Sequence, residues 1–189
     1  MDITQLILDD HHEQRRLFAM LEEVDPADTV TLGDLWARLA AFLELHAQAE
    51  EEIFYPELLK VDRSAGRLGS GEEETLDAIG DHNEIRDAVA AVAPQEVGSS
   101  GWFAAVATAN QVNGDHMAEE EREGLTDFRR FASLQLRHDL AVAFAAYEAR
   151  HYAGVQPVDK DPVAYVRQAE QAVFGSEAGS LGIGSLKNR

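Results

Sequence analysis

The sequence His46-Ala47-Gln48-Ala49-Glu50 has a counterpart in His116-Met117-Ala118-Glu119-Glu120, and both read His-x-x-x-Glu. Each lies in a stretch with helical apolar spacing, so the histidine and the glutamate four residues later share one face of a helix. An imidazole and a carboxylate placed in this way can bind one metal ion. The two stretches therefore predict two helices that turn metal ligands toward a common interior.

Two further histidines extend this pattern into an internal repeat. His12 precedes His46 by the same interval as His82 precedes His116, so the pattern His-x33-His-x3-Glu occurs twice. Equal spacing at every position of the pattern indicates a duplication. His11 is the alternative to His12, but only His12 keeps the equal interval. The predicted metal ligands are His12, His46, Glu50, His82, His116 and Glu120, a set that suits two metal ions in the core of a four-helix bundle.

Apolar periodicity predicts helices over residues 3–24, 31–61, 72–93 and 102–122. The pattern continues over 124–152, either as an extension of the fourth helix or as a fifth one. Pro56 lies inside the second helix and should kink it or open it locally. No alternating strand pattern is present, so the predicted fold class is all-α, an up-and-down four-helix bundle with a short C-terminal helix and a flexible tail. The predicted divisions are 1–155 for the bundle, 156–174 for the linker and short helix, and 175–189 for the tail.

The composition excludes several classes of function. The chain carries 35 acidic and 16 basic residues and a net charge of −19, so neither nucleic acid nor an anionic membrane is expected as a partner. It contains no cysteine, which excludes disulfides and thiolate-bound metals. We expect no signal peptide, no membrane span and a cytoplasmic location.

The order and spacing of these ligands resemble the hemerythrin-like, HHE cation-binding domain, a non-haem di-iron four-helix bundle. The resemblance covers roughly residues 3–152. It implies two iron ions bridged by an oxo or hydroxo group, and the two Glu carboxylates as further bridges. By this resemblance His12, His46 and Glu50 form one half-site, and His82, His116 and Glu120 form the other.

The sequence departs from the oxygen-carrying hemerythrins at two positions. Arg86 stands where they have a histidine, and Glu121 stands where they have an aspartate, while Glu120 takes the position one turn after His116. Fewer protein ligands leave room for a small molecule, so the resemblance implies reaction with peroxide, dioxygen or nitric oxide in stress protection, with catalase-like or oxidase activity. The alternatives are a non-catalytic module that binds or senses O2 or NO, and a ferroxidase or iron-storage cargo.

Three residues are candidates for supporting the ligands. Arg16 and Arg86 each follow a predicted histidine ligand by four residues, and they either contact the carboxylates or are exposed helix charges. Tyr55 is a candidate phenol near the metals. In a straight helix it would point away from the face of His46, unless Pro56 redirects it.

The residues Ser180-Leu181-Gly182-Ile183-Gly184-Ser185-Leu186-Lys187 resemble the cargo-loading peptide of encapsulin shells. Leu181, Ile183 and Leu186 would fill pockets on the inner wall of the shell, and the surrounding glycines and serines would serve as a tether. A frayed terminus is the alternative. This second resemblance implies an encapsulin shell as partner and a location inside the nanocompartment, and a homodimer is compatible with the sequence.

Overall fold

The computed structural model describes residues 1–67 and 69–175, and within them the chain is all-α, without strands. Its helices are α1 (Ile3–Glu23), α2 (Thr29–Ala49), a π-helical segment (Glu50–Phe54), α3 (Tyr55–Ser64), α4 (Ser70–Val92), α5 (Ser100–Arg122), α6 (Gly124–Phe131), α7 (Leu134–Arg150) and α8 (Pro162–Phe174). The predicted all-α bundle with an additional C-terminal helix is confirmed. Of the predicted tail, 175–189, residues 176–189 lie outside the described residues.

Four rods form the bundle. The first is α1, the second is the continuous run of α2, the π-helical segment and α3, the third is α4 and the fourth is α5. Short connections join them, so that α1 packs along α2 and α4 packs along α5. The core consists of two apolar clusters, one around Leu17 and Trp102 and the other around Ile7 and Phe128. Polar residues, including His11, His46, His82 and His116, lie buried between them. The amphipathic rods thus bury apolar side chains at both ends and a polar layer in the middle.

The second rod contains one turn of π-helix directly before Pro56. Proline has no backbone N–H, so it cannot donate to the carbonyl of residue 52 as an α-helix would require. Instead the N–H of Tyr55 donates to the carbonyl of Glu50, which is a bond across five residues. The prediction that Pro56 opens the helix locally is therefore confirmed. The wider turn buries both Glu50 and Glu51.

Residues 124–152 form two helices rather than one. The backbone is extended at Ala132, and the side chain of Ser133 accepts from the N–H of Leu136 and so begins α7. Helix α7 returns along α1 and α2, where the Phe144 ring lies 5.9 Å from the ring of His46. It therefore closes the side of the bundle next to the polar layer.

The segment after α7 packs back onto the bundle. The backbone carbonyls of Gln156 and Lys160 accept hydrogen bonds from Gln48 (2.7 Å) and Asn83 (2.8 Å). Helix α8 lies against α3 and α4. Within residues 1–67 and 69–175, no helix combines the length and the apolar character needed to cross a bilayer.

Candidate metal centre

Four buried histidines from four helices lie in the middle of the bundle, namely His11, His46, His82 and His116. The Nε2 atoms of His82 and His116 are 3.2 Å apart. The carboxylate of Glu50 lies between the two halves, with Oε1 3.0 Å from Nε2 of His46 and Oε2 3.3 Å from Nε2 of His82. Two triads result, each with ligand atoms within 4.8 Å of one another: His11, His46 and Glu50 form one, and Glu50, His82 and His116 form the other. They share the carboxylate of Glu50.

Glu120 joins this layer from α5. Its Oε2 lies 3.4 Å from Nε2 of His11, and its Oε1 accepts a hydrogen bond of 2.9 Å from the hydroxyl of Tyr55. The predicted half-sites grouped Glu120 with His82 and His116. The structure brings these residues into one layer, but it places the Glu120 carboxylate beside the histidine of the first helix.

A second carboxylate contacts the outer nitrogen, Nδ1, of each histidine. The pairs are His11 with Glu121 (3.0 Å), His46 with Asp10 (3.1 Å), His82 with Glu51 (2.9 Å) and His116 with Asp81 (3.3 Å). A carboxylate at Nδ1 holds the proton on that nitrogen. It leaves Nε2, which points to the interior, as the atom that can bind a metal ion. All four imidazoles are therefore oriented as metal ligands.

Two arginines support the outer carboxylates in equivalent places. Nη2 of Arg86 lies 2.9 Å from Oε1 of Glu51, and Nη2 of Arg15 lies 2.8 Å from Oε1 of Glu121. Each arginine follows its histidine by four residues, so the histidine and the arginine of each pair lie on one helix face. Within each pair, both side chains contact one glutamate of a facing rod. The structure thus places Arg86 where it holds a carboxylate partner of His82.

The structure replaces two residues of the predicted site. His12 is exposed on α1, because one position along a helix turns the side chain by about 100°. His11 takes its place and is fully buried. Arg16 is an exposed helix charge that bonds Glu13 at 2.6 Å, so Arg15 rather than Arg16 matches Arg86.

The sequence contains a pattern that distinguishes His11 from His12 and Arg15 from Arg16. Asp10-His11-x-Glu13-x-Arg15 repeats as Asp81-His82-x-Glu84-x-Arg86. The offset between these two stretches is one position larger than the offset between the two His-x-x-x-Glu stretches. The duplication therefore differs by a single position between its first and second helices, and a search for strictly equal intervals conceals this difference.

The surroundings divide the histidines into two electrostatic classes. Desolvation by burial lowers the pKa of His116, and it lowers the pKa of His11 to about 4. Desolvation acts on His82 in the same direction, but the adjacent carboxylates of Glu50 and Glu51 outweigh it and raise its pKa to about 9. Burial likewise opposes a charge on His46, yet Glu50 and Asp10 raise its pKa well above the usual range. The carboxylates therefore favour the protonated forms of His46 and His82, and a metal ion that binds these imidazoles would displace protons.

The residues fit a pair of metal ions. Nε2 of His11 and His46, both carboxylate oxygens of Glu50 and Oε2 of Glu120 are buried without a hydrogen-bond partner among the described residues. Buried polar atoms without partners are costly, and two carboxylates at close range repel each other. Metal ions at this place would satisfy all five atoms at once. Imidazole and carboxylate donors without thiolates suit iron.

A comparison with family models matches residues 2–128 to the Hemerythrin HHE cation binding domain. The match covers more than half of the chain, and the chain belongs to this family. The family and the two histidine–glutamate triads together define a metal-binding protein of the di-iron type. Neither a curated protein nor a solved structure matched the chain.

Proposed function

We propose that the chain binds two iron ions in the polar layer and acts on peroxide, with nitric oxide or dioxygen as further reactants, in protection against oxidative or nitrosative stress. The observation that carries this proposal is the pair of buried triads joined by Glu50. The ligands in this proposal are His11, His46, Glu50, His82, His116 and Glu120. When bound, a pair of iron ions supplies reversible one- and two-electron chemistry toward small oxygen and nitrogen species.

The residues around the ligands have separate tasks in this proposal. The four outer carboxylates fix the orientation of the imidazoles. The hydroxyl of Tyr55 holds the carboxylate of Glu120. The ring of Phe144 and the apolar clusters on both sides limit the access of water to the layer.

The chain has one imidazole fewer than the oxygen-carrying hemerythrins it resembles. Arg86 occupies that position and contacts Glu44 and Glu51 instead. A guanidinium is a donor only and cannot bind a metal ion. A metal ion on this side would keep a position for an exogenous ligand, which supports reaction over stable oxygen carriage.

Two adjacent histidines provide a matched test of the ligand set. We expect purified protein to contain about two iron ions per chain, by analogy with other di-iron bundles. His11→Ala should lower the iron content and the near-ultraviolet absorption of the metal centre, whereas His12→Ala should leave both unchanged, because His12 is exposed. Full iron content in the double variant His46→Ala/His116→Ala would overturn the metal assignment.

The reaction requires a separate measurement. Catalase-like activity is tested by the steady-state consumption of hydrogen peroxide by the iron-loaded protein, measured as the release of oxygen. A spectral change with nitric oxide or dioxygen but no turnover would support a binding or sensing module instead. Accumulation of iron mineral in co-expressed shells would support ferroxidase or storage activity.

We further propose that residues 175–189 direct the protein into an encapsulin shell. What supports this is the sequence alone, with Leu181, Ile183 and Leu186 spaced among glycines and serines. Burial of each apolar side chain would contribute roughly 1.5–3 kcal/mol before ordering costs. Many tails inside one closed shell would add to the effective concentration.

Deletion of residues 179–189 should abolish co-purification with a shell and leave iron content and helix content unchanged. Replacement of Leu181, Ile183 and Leu186 by Ser should do the same. Replacement of Lys187 and Asn188 by Ser is the matched control, because it changes the tail without removing apolar groups. Packaging of the truncated chain at the level of the intact chain would refute this part of the proposal.

A further inference from the structure

A cavity of about 220 Å³ opens beside the metal layer between α3, α4 and α5. Its floor contains Tyr55, His116 and Glu120, which belong to the layer itself. Six carboxylate side chains line the way from this floor to solvent: Glu73, Glu74, Asp77, Asp81, Glu119 and Glu123. The cavity therefore connects the candidate metal centre with the surface through acidic groups.

The exposure of these groups decreases from the rim to the floor. Glu73, Asp77 and Glu119 are exposed, Asp81 is half-buried, and Glu120 is buried. Asp81 is also the residue whose Oδ2 contacts Nδ1 of His116. A cation that enters at the rim thus meets carboxylates at successive depths before it meets a histidine ligand.

The floor itself presents an unsatisfied ligand atom. Glu120 is 6% exposed, and its Oε2 has no hydrogen-bond partner among the described residues. A buried carboxylate oxygen without a partner is rare unless a cation or proton compensates it. This observation is independent of the acidic rim, and a cation bound at this end of the cavity would satisfy the oxygen.

The charge of the cavity has one sign. The described residues that line it include no lysine or arginine. Arg122 and Arg67 lie close to the lining, but both are paired with carboxylates. Nη2 of Arg122 is 2.8 Å from Oε1 of Glu123, and Nη2 of Arg67 contacts Asp127 as well as the hydroxyl of Ser70. A cavity beside Asp10 and Phe42, on another side of the bundle, contains Arg38 in its lining. Clefts lined by one charge concentrate ions of opposite charge, and they do so more strongly where low-dielectric walls focus the field.

We propose that this cavity is the entry route for divalent cations to the metal layer, and that Glu73, Asp77 and Glu119 attract Fe²⁺ at its rim. The proposal rests on the metal-binding function above. The rim carboxylates replace part of the hydration shell with oxygen ligands, and Asp81 and Glu120 guide the ion to the imidazoles. The same field repels anions and leaves uncharged peroxide unaffected.

The test compares two triple variants of the full chain with the same change in charge. Glu73→Gln/Asp77→Asn/Glu119→Gln removes the rim charges. Glu22→Gln/Glu23→Gln/Glu96→Gln removes three exposed charges at the end of the bundle around Trp102. Metal-free protein is mixed with Co²⁺, or with Fe²⁺ under anaerobic conditions, and the absorbance is followed by stopped flow. Circular dichroism of each variant checks that the fold is kept.

We expect the rim variant to load metal at least about threefold more slowly than the wild type at low ionic strength. The difference should shrink at about 0.5 M salt, because salt screens exposed charges. The control variant should load at nearly the wild-type rate, and all three proteins should reach the same number of bound ions.

Two results would overturn the entry route while leaving the metal site intact. One is an unchanged loading rate in the rim variant with two ions bound. The other is equal slowing in both variants, which would reflect net charge and not a route. If the wild type bound neither Co²⁺ nor Fe²⁺, the proposed function itself would fail and the entry route with it.

Discussion

The hydroxyl of Tyr55 donates to Oε1 of Glu120 across the bundle, with 2.9 Å between the oxygens. Tyr55 follows His46 by nine residues, which in an ideal α-helix is about two and a half turns and would point the ring outward. The π turn ahead of Pro56 has more residues per turn and so rotates the chain less per residue, which brings the ring inward. Leu125 stands at the same distance after His116 in the second half of the repeat. The phenol therefore distinguishes the two halves of the site.

Tyr55→Phe should lower the free energy of unfolding of the metal-free protein by about 1–2 kcal/mol, because it leaves a buried carboxylate oxygen without its donor. The ring and its packing stay in place. Urea denaturation followed by circular dichroism measures the change. Tyr152→Phe is the matched control, since Tyr152 is 89% exposed and should cause no change. Equal stabilities of the two variants would show that the hydrogen bond contributes nothing.

The fold was predictable because its signals are local. Helix periodicity, Pro56 and the glycine-containing connections are each read over a few residues, and the observed helices agree closely with the predicted ranges. The apolar pattern left open whether 124–152 extends the fourth helix or forms a fifth, and it did not reveal the break at Ala132 and Ser133, because it continues through both residues. The packing of α7 against α1 and α2 separates α7 from α6.

The candidate site was predictable where the repeat is regular and not where it shifts. The interval between histidine and glutamate is the same in both halves, in the pairs His46–Glu50 and His116–Glu120. His11 and His12 are neighbours with the same chemistry, so a spacing rule alone selected between them. The face of α1 that is buried is set by contacts with α2 and α5, and in the sequence it is marked by the repeat of Asp10-His11-x-Glu13-x-Arg15, whose interval differs by one position.

Contacts from outside the repeat were also missed for a physical reason. Nζ of Lys160 lies 2.8 Å from Oε2 of Glu51, and the hydroxyl of Tyr165 donates to the backbone carbonyl of Glu51. Both residues come from the segment that was predicted as a linker and a short helix. Linker composition indicates the local backbone and does not indicate a long-range ion pair.

Arg86→Met should destabilise the protein by about 3–5 kcal/mol, because it leaves the buried carboxylates of Glu44 and Glu51 without their guanidinium. Three of the bonds that it breaks are 2.9–3.1 Å long. Arg16→Met is the control and should leave the stability nearly unchanged, because Arg16 is exposed. The midpoints of urea unfolding give both values. A loss below about 1 kcal/mol in the Arg86 variant would mean that the carboxylates find other partners.

Lys160→Met tests whether the C-terminal segment stabilises the layer. Glu51 is buried and orients His82, so the loss of the Lys160 ammonium should cost about 1–3 kcal/mol. Lys60→Met removes a more exposed pair with Glu57 and should cost less than about 1 kcal/mol. Amide hydrogen exchange should show faster exchange in α8 only for the Lys160 variant. Unchanged exchange in α8 would show that the contact does not hold the helix in place.

The contribution of the Glu74 carboxyl to the stability of the folded protein should become less favourable as the pH rises from about 4.5 to 7. Burial, followed by the nearby charges of Asp62 and Asp127, raises the pKa of Glu74 from 4.5 to about 7. Below pH 4.5 the carboxyl is protonated in both the folded and the unfolded chain, so it has no effect. Between these values the unfolded chain loses its proton first, and the folded chain becomes relatively less stable until the effect levels off above pH 7.

Glu74→Gln removes this titration. From pH 4.5 to pH 8 the free energy of unfolding of the variant, relative to that of the wild type, should therefore increase by about 1–2 kcal/mol, after allowance for the partial exposure of the side chain. Urea unfolding of both metal-free proteins at pH 4.5, 6 and 8 gives the difference at each pH. Glu72→Gln, at an exposed position of the same helix, controls for a general change in charge. Parallel stability curves for the wild type and the Glu74 variant would show that the Glu74 carboxyl titrates alike in the folded and unfolded chains. Because Glu74 also lines the acidic cavity, a raised pKa there means that the route gains one more negative charge as the pH passes 7.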